Sequence, residues 1–141
     1  MTTIGSSAFR NCDNLDSIIF EDGSKLTIIG SFAFGECTKI ASVTVPNGIT
    51  SISNASFNGC VNLESVIIPE SVVAIEDYAF YNCTNILNVY YCGTITDWSE
   101  LTIKSANDYL TSATRYYYSE TEPTEEGNFW HYDENGDVAV W

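Results

Sequence analysis

The sequence predicts an α/β repeat solenoid: a β-rich, right-handed superhelix with short helical or 3₁₀ turns, closed by a C-terminal β-hairpin. Three observations carry this reading. Phe–Cys pairs recur at near-constant spacing, each pair is followed by a short β-branched run, and the chain ends in an aromatic segment folded about Asn135-Gly136. Self-similarity at a period of a little over twenty residues is the mark of a stacked repeat architecture.

The pairs are Phe9/Cys12, Phe34/Cys37, Phe57/Cys60 and Phe80/Cys83, and the phenylalanines step by 25, 23 and 23 residues. A small residue precedes each Phe (Ala8, Ala33, Ser56, Ala79), and an isoleucine stands five residues before it (Ile4, Ile29, Ile52, Ile75). Leu15, Ile40, Leu63 or Ile86 follows each Cys by three. A unit this short cannot close a core alone, so neighbouring copies must stack. The runs Ser17-Ile18-Ile19-Phe20, Ser42-Val43-Thr44-Val45, Ser65-Val66-Ile67-Ile68 and Asn88-Val89-Tyr90-Tyr91 read as strands,. Pro46 and Pro69 end the second and third, where the missing N–H costs the ladder nothing,. The two extra residues of the first copy fall in the polar loop Glu21-Asp22-Gly23-Ser24-Lys25, where insertions are tolerated,.

Alternation along a strand sends Leu63, Val66, Ile68, Val72, Ile75, Ala79, Phe80 and Cys83 inward in the third copy,. It sends Ser17, Ile19, Ser42, Thr44, Ser65, Ile67, Asn88 and Tyr90 outward. The phenylalanines are expected to stack as an internal spine, with the small residue beside each allowing a tight turn where coils pass.

Residues 1–91 therefore hold four copies, 92–118 a degenerate fifth and 119–141 a capping hairpin. In the fifth copy a 23-residue register puts Ile95, Trp98 and Ile103 in the places of Val72, Ile75 and Phe80. Ala106 falls where a cysteine would. Asp97 is the expected helix N-cap, and the next strand is expected over Thr114–Tyr118. A two-residue type I′ turn at Asn135-Gly136 would set Trp130 opposite Trp141 and Tyr132 opposite Ala139,. The hairpin is expected to cover the open apolar cross-section and the free strand edge, in preference to serving as an aromatic ligand platform. The other end begins partway into a copy without a polar cap. The expectation there is that further coils precede it, or that this end self-associates.

Five Lys and Arg against 19 Asp and Glu give a net charge of −14, which repels nucleic acid and anionic membranes,. No apolar run reaches the length of a membrane span, and the first residues lack the pattern of a signal peptide. The cysteines have no Cys-x₂₋₄-Cys spacing for zinc. In-register stacking points their Cβ bonds the same way, which suits bridging poorly. They read as small buried hydrophobes, with Cys92, outside the ladder, the candidate reactive thiol. His131, the one histidine, has no nucleophile motif near it and reads as a partly exposed hairpin residue,. The run Asp133–Asp137 is explained by its turn and not by a calcium loop. No catalytic residue, cofactor or metal site emerges. What remains is the outward face, with rows Ser17, Ser42, Ser65, Asn88 and Ile19, Thr44, Ile67, Tyr90: neutral, partly apolar, and suited to a protein or glycan partner.

The pattern Ile-x-x-x-Ala-Phe-x-x-Cys-x-x-Leu-x-x-Ile-x-Ile-Pro resembles the BspA-like class of leucine-rich repeats over residues 4 to about 110. The tail, with Tyr116-Tyr117-Tyr118-Ser119-Glu120 and Gly127-Asn128-Phe129-Trp130-His131-Tyr132, resembles C-terminal segments of such bacterial proteins. The resemblance implies a leucine-rich-repeat superhelix, display outside the cell or on its surface, adhesion or partner binding, and no catalytic residues to carry over. The alternative role is a structural capping segment of a longer repeat protein.

Overall fold

In the computed structural model, which describes residues 1–141, each coil after the first divides into two short strands joined by turns or short helices. In chain order the elements are β1 (Thr3–Ile4), β2 (Ile28–Ile29), β3 (Ser42–Thr44), β4 (Ser51–Ile52), β5 (Ser65–Ile68), β6 (Ala74–Ile75) and β7 (Asn88–Tyr91). They continue with α1 (Ile95–Glu100), β8 (Thr102–Ile103), α2 (Asp108–Ser112), β9 (Thr114–Tyr118), β10 (Phe129–Tyr132) and β11 (Val138–Val140). The main sheet runs β11-β10-β9-β7-β5-β3; β4-β6-β8 form a second sheet, and β1-β2 pair separately. Every pairing is parallel except β10 with β11. The short helices sit in the fifth coil, where the repeat sequence decays.

The phenylalanine segments are not 3₁₀ helices. Each is a chain of β-turns with two left-handed residues flanking the Phe: Ser7 and Asn11, Phe32 and Glu36, Ala55 and Gly59, Tyr78 and Asn82. Their backbone N–H groups alternate in purpose. The Phe9 amide donates to Ala33 of the next coil, as Phe34 does to Ser56 and Phe57 to Ala79, at 2.8–2.9 Å. The intervening amides close turns within the coil, such as Ala8 to Gly5 and Arg10 to Ser7. A uniform right-handed helix would turn all its amides along its own axis and leave none for the neighbour.

The spine is present. Rings Phe9, Phe34, Phe57 and Phe80 stack with centroids 5.2, 5.6 and 5.4 Å apart and planes within 2–9° of parallel. The inward set of the third copy is buried throughout, within one continuous apolar cluster that runs from Ile4 to Leu110.

The first coil departs from expectation. Ser17–Phe20 forms no strand and pairs with nothing in β3. It leaves through the Glu21–Lys25 loop, without the proline stop of the second and third coils. Ile18 and Phe20 still pack against the core, half-buried.

One residue in the spine is mismatched. Ser56 is fully buried and its hydroxyl finds no partner, where the other three copies carry alanine. Ser56→Ala is expected to stabilise the fold by about 1 kcal/mol, whereas Phe57→Ala, one residue on, is expected to cost about 3–5 kcal/mol. Thermal unfolding of the two variants checks both signs; an unchanged midpoint in Phe57→Ala would remove the spine as a structural element.

Candidate functional site

Two rows of outward side chains form on the main sheet. Parallel register aligns Ser42, Ser65, Asn88 and Thr114 in one and Thr44, Ile67, Tyr90 and Tyr116 in the next. Six of the eight residues expected from the sequence are thus brought together. Ser17 and Ile19 are not: they lie exposed in the strandless first coil, beyond the edge of the sheet. Thr114 and Tyr116 extend the rows, and the alternation within Thr114–Tyr118 was the signal for them.

The aromatic end of this face is built by the hairpin. Tyr90 stacks on Tyr116 at 5.2 Å and meets Trp130 edge-on at 5.6 Å. Trp130 is fully buried, ringed also by Tyr118 and Tyr132, and its indole Nε1 donates to the Tyr91 carbonyl at 2.9 Å. It lies outside the main apolar cluster. The hairpin therefore covers the strand edge, as expected, but not the apolar cross-section. That opening is closed by Trp98 and Leu110, with Tyr117 packed beside them. Arg115, in the inward row behind Val89, lays its guanidinium over the Trp98 ring at 4.4 Å. Its Nε donates to the Tyr117 hydroxyl. A cation on an aromatic face ends the apolar row while keeping its charge partly hydrated.

Asn107 completes the closure. In the earlier coils each Phe amide donates to a backbone carbonyl of the next coil. After Phe80 the Asn107 side chain takes that role, its Oδ1 accepting from the Phe80 amide at 3.0 Å. Its Nδ2 donates to the carbonyls of Glu76 and Lys104. The residue is buried, and one carboxamide satisfies groups that would otherwise be orphaned,.

Three details of the tail differ from the sequence expectation. Ile103 pairs with Ile75 rather than standing in the place of Phe80, because α1 lengthens this coil. The N-cap of α1 is Thr94, one residue before the helix; its hydroxyl accepts from the Asp97 amide while the Asp97 carboxylate accepts from the Thr94 amide, a capping box,. The hairpin register is shifted by one: Trp130 faces Val140, His131 faces Ala139 and Tyr132 faces Val138. The loop has three residues, with Gly136 left-handed at φ 82°,. The Asp133 carboxylate fixes it by accepting from the Asn135 and Asp137 amides. His131 stacks on Trp141 at 3.9 Å.

All five cysteines are free. Besides filling space, three thiols donate across coils: Cys37 to the Phe9 carbonyl, Cys60 to Phe34 and Cys83 to Phe57. Burial pushes the Cys83 thiol up to about 12 and Cys60 further still. Cys92 is not the reactive thiol the sequence suggested. Burial, reinforced by the Glu70 carboxylate, pushes it to about 11, so it stays protonated at neutral pH,.

A cleft of about 940 Å³ lies beside the ends of the main-sheet strands, between Glu70, Cys92, Tyr118 and Tyr132 on one side and α1 on the other. Tyr132 also borders a smaller recess with the Glu21–Ser24 loop. No helix is long and apolar enough to cross a membrane.

Parallel coils, an internal Phe spine and a strand face lined by outward rows define a leucine-rich-repeat solenoid. A family model described as BspA-type leucine-rich repeat region, in six copies, matches residues 1–115, and the chain belongs to that family. Among solved structures it is similar to a leucine-rich cell-surface protein from Faecalibacterium prausnitzii, at 27% identity and TM-score 0.56 over 74% of this chain and 33% of that one. It is also similar in fold to the leucine-rich-repeat protein of T. pallidum, at 22% identity and TM-score 0.54 over 82% of this chain and 57% of that one. The chain thus spans about a third of the first and just over half of the second. No curated protein matches it.

Two measurements check the site chemistry. At about pH 8, Cys37, Cys60 and Cys83 are expected to resist a neutral alkylating reagent that titrates all five thiols after denaturation,; Cys60 reacting at the denatured rate would contradict the buried ladder. Acidification should loosen α1 and the hairpin turn together. Hydrogen bonds from Thr94 hold Asp97, and backbone amides of Asp137 and Asn135 hold Asp133, below the ordinary 3.8. The stabilisation is therefore full above that value and lost as pH falls through the lowered ones. Protection of the Thr94, Asn135 and Asp137 amides, taken as exchange relative to the free-peptide rate at each pH, should fall in that window and hold steady above it.

Proposed function

We propose that this chain is a non-enzymatic recognition module that presents the outer face of its main sheet to a protein or glycan, as part of a cell-surface protein used in adhesion. One observation carries the reading: a straight polar row, Ser42-Ser65-Asn88-Thr114, runs beside a row that grades from Thr44 and Ile67 to Tyr90 and Tyr116. Hydroxyl and carboxamide groups beside aromatic rings supply directional hydrogen bonds and flat apolar contact together. The surface-protein relative from Faecalibacterium prausnitzii supports the location. An alternative reading is a structural capping segment without a ligand of its own, favoured by the closure at Asn107 and Arg115.

The test uses glycan arrays and adhesion to coated host-matrix proteins. Tyr90 supports Trp130, so the substitutions belong farther along: Ser65→Arg with Ile67→Glu on the proposed face, and Ile28→Glu, exposed on β2 outside the main sheet, as control. The first pair is expected to weaken binding about tenfold or more with an unchanged thermal transition, and the control to leave it intact. Loss confined to the control would move the site off this face. No ligand for the intact chain would favour the capping role.

A further inference from the structure

The cleft beside α1 has a chemistry that the outer face does not share. Its twelve bordering residues include three carboxylates, Glu70, Asp97 and Glu100, and no lysine, arginine or histidine. Tyr91, Tyr118 and Tyr132 supply aromatic walls, and Val72, Val73 and Leu101 an apolar lining. Four of the chain's five basic residues are engaged elsewhere: Arg10 with Glu36, Lys39 with Asn14, Lys104 with Glu76 and Arg115 on Trp98. The cleft volume falls within the range of ligand sites, roughly 300–1,000 Å³.

We infer that this cleft binds an alkylammonium group, a cationic head on a carbon chain, held by the Glu70 and Glu100 carboxylates and the faces of Tyr118 and Tyr132. The site shares Tyr118 and Tyr132 with the aromatic end of the outer face but none of the residues of its two rows, and does not depend on a ligand there. A tetrahedral ammonium over an aromatic face is attracted by the ring quadrupole, and the apolar lining suits the attached methylenes. A compact metal ion is a poor fit, because no three carboxylate, thiol or imidazole groups in the protein converge closely enough to hold one,. An anion is repelled. The field of the carboxylates is already felt by groups in the cleft: beyond the effect of burial, Glu70 pushes up the Cys92 thiol, and Asp97 and Glu70 push up the Tyr91 hydroxyl. Gly93 leaves the space that the Tyr91 ring occupies, since a Cβ there would come within 2.6 Å of it.

Calorimetry at about 20 mM salt, where screening is weak, can test three probes: trilysine, spermidine and choline, with trilysine acetylated at all its amines, the α-amine included, as the comparison without an ammonium. At least one cationic probe is expected to bind saturably and the acetylated peptide not to. Trilysine alone would assign a basic peptide, spermidine alone a free polyamine, and choline alone a quaternary ammonium. Glu70→Gln and Glu100→Gln, both at exposed positions, are each expected to weaken binding about 2–5-fold,. Asp97 is left intact because it caps α1. Because the whole chain is acidic, the decisive comparison is Glu125→Gln with Glu126→Gln, which removes the same charge from the connection before β10. Binding that survives this change but falls in Glu70→Gln with Glu100→Gln supports the site. Equal loss in both pairs, or no saturable heat from any probe up to about 10 mM, overturns it. Should the cleft pair fail to fold, the single variants carry the same comparison.

Discussion

The backbone hydrogen bonds that pass between coils at the phenylalanine turns constrain everything else in this molecule. They require alternate amides to point along the stack, from Phe9 to Ala33, Phe34 to Ser56 and Phe57 to Ala79. That alternation needs left-handed residues on both sides of each Phe, and seven of the eight that supply them are not glycine. Left-handed conformations cost an ordinary residue roughly 1–2 kcal/mol, so the ladder and the packing around it must over-determine the geometry. Once it is set, every side chain in a coil meets its own equivalent in the next. A flat ring meets a flat ring at 5.2–5.6 Å, close to strand spacing,. A thiol meets the phenylalanine carbonyl of the coil before it. The outer rows are the same rule read from the solvent side.

This rule explains what the sequence made legible. Positions that recur at fixed offsets, such as the Ile, the small residue, the Phe and the Cys, announce burial because only a repeated contact needs a repeated residue. Six of the eight expected face residues follow from it, and so does β9 at Thr114–Tyr118. What was not legible lies where the repeat stops enforcing register. The capping box of Thr94 and Asp97 starts a helix that lengthens the fifth coil, and a 23-residue count misplaces Ile103. Asp133 draws two amides onto its carboxylate, and that local preference outweighs the two-residue turn Asn135-Gly136 suggested. The first coil shows the same limit: Ser17–Phe20 has the β-branched pattern of a strand but runs into the Glu21–Lys25 insertion and does not pair with β3.

The electrostatics follow a similar division. Basic residues are few, and the best placed are used structurally, Arg115 as a lid over Trp98 and Lys104 in an ion pair with Glu76. The acidic residues are left largely without partners on the surface. Around α1 they border an aromatic cleft; elsewhere they keep the surface repulsive to other anions,.

Asn107 has a consequence for how such proteins change over time. Because one carboxamide imitates the backbone of a coming coil, the closing element recognises only the coil before it and carries no record of how many came earlier. Whole coils can be gained or lost upstream without redesigning the end, so long as each keeps its Phe turn. Each added coil would lengthen the outer rows by one residue. In this architecture the outer face can change by counting as much as by substitution.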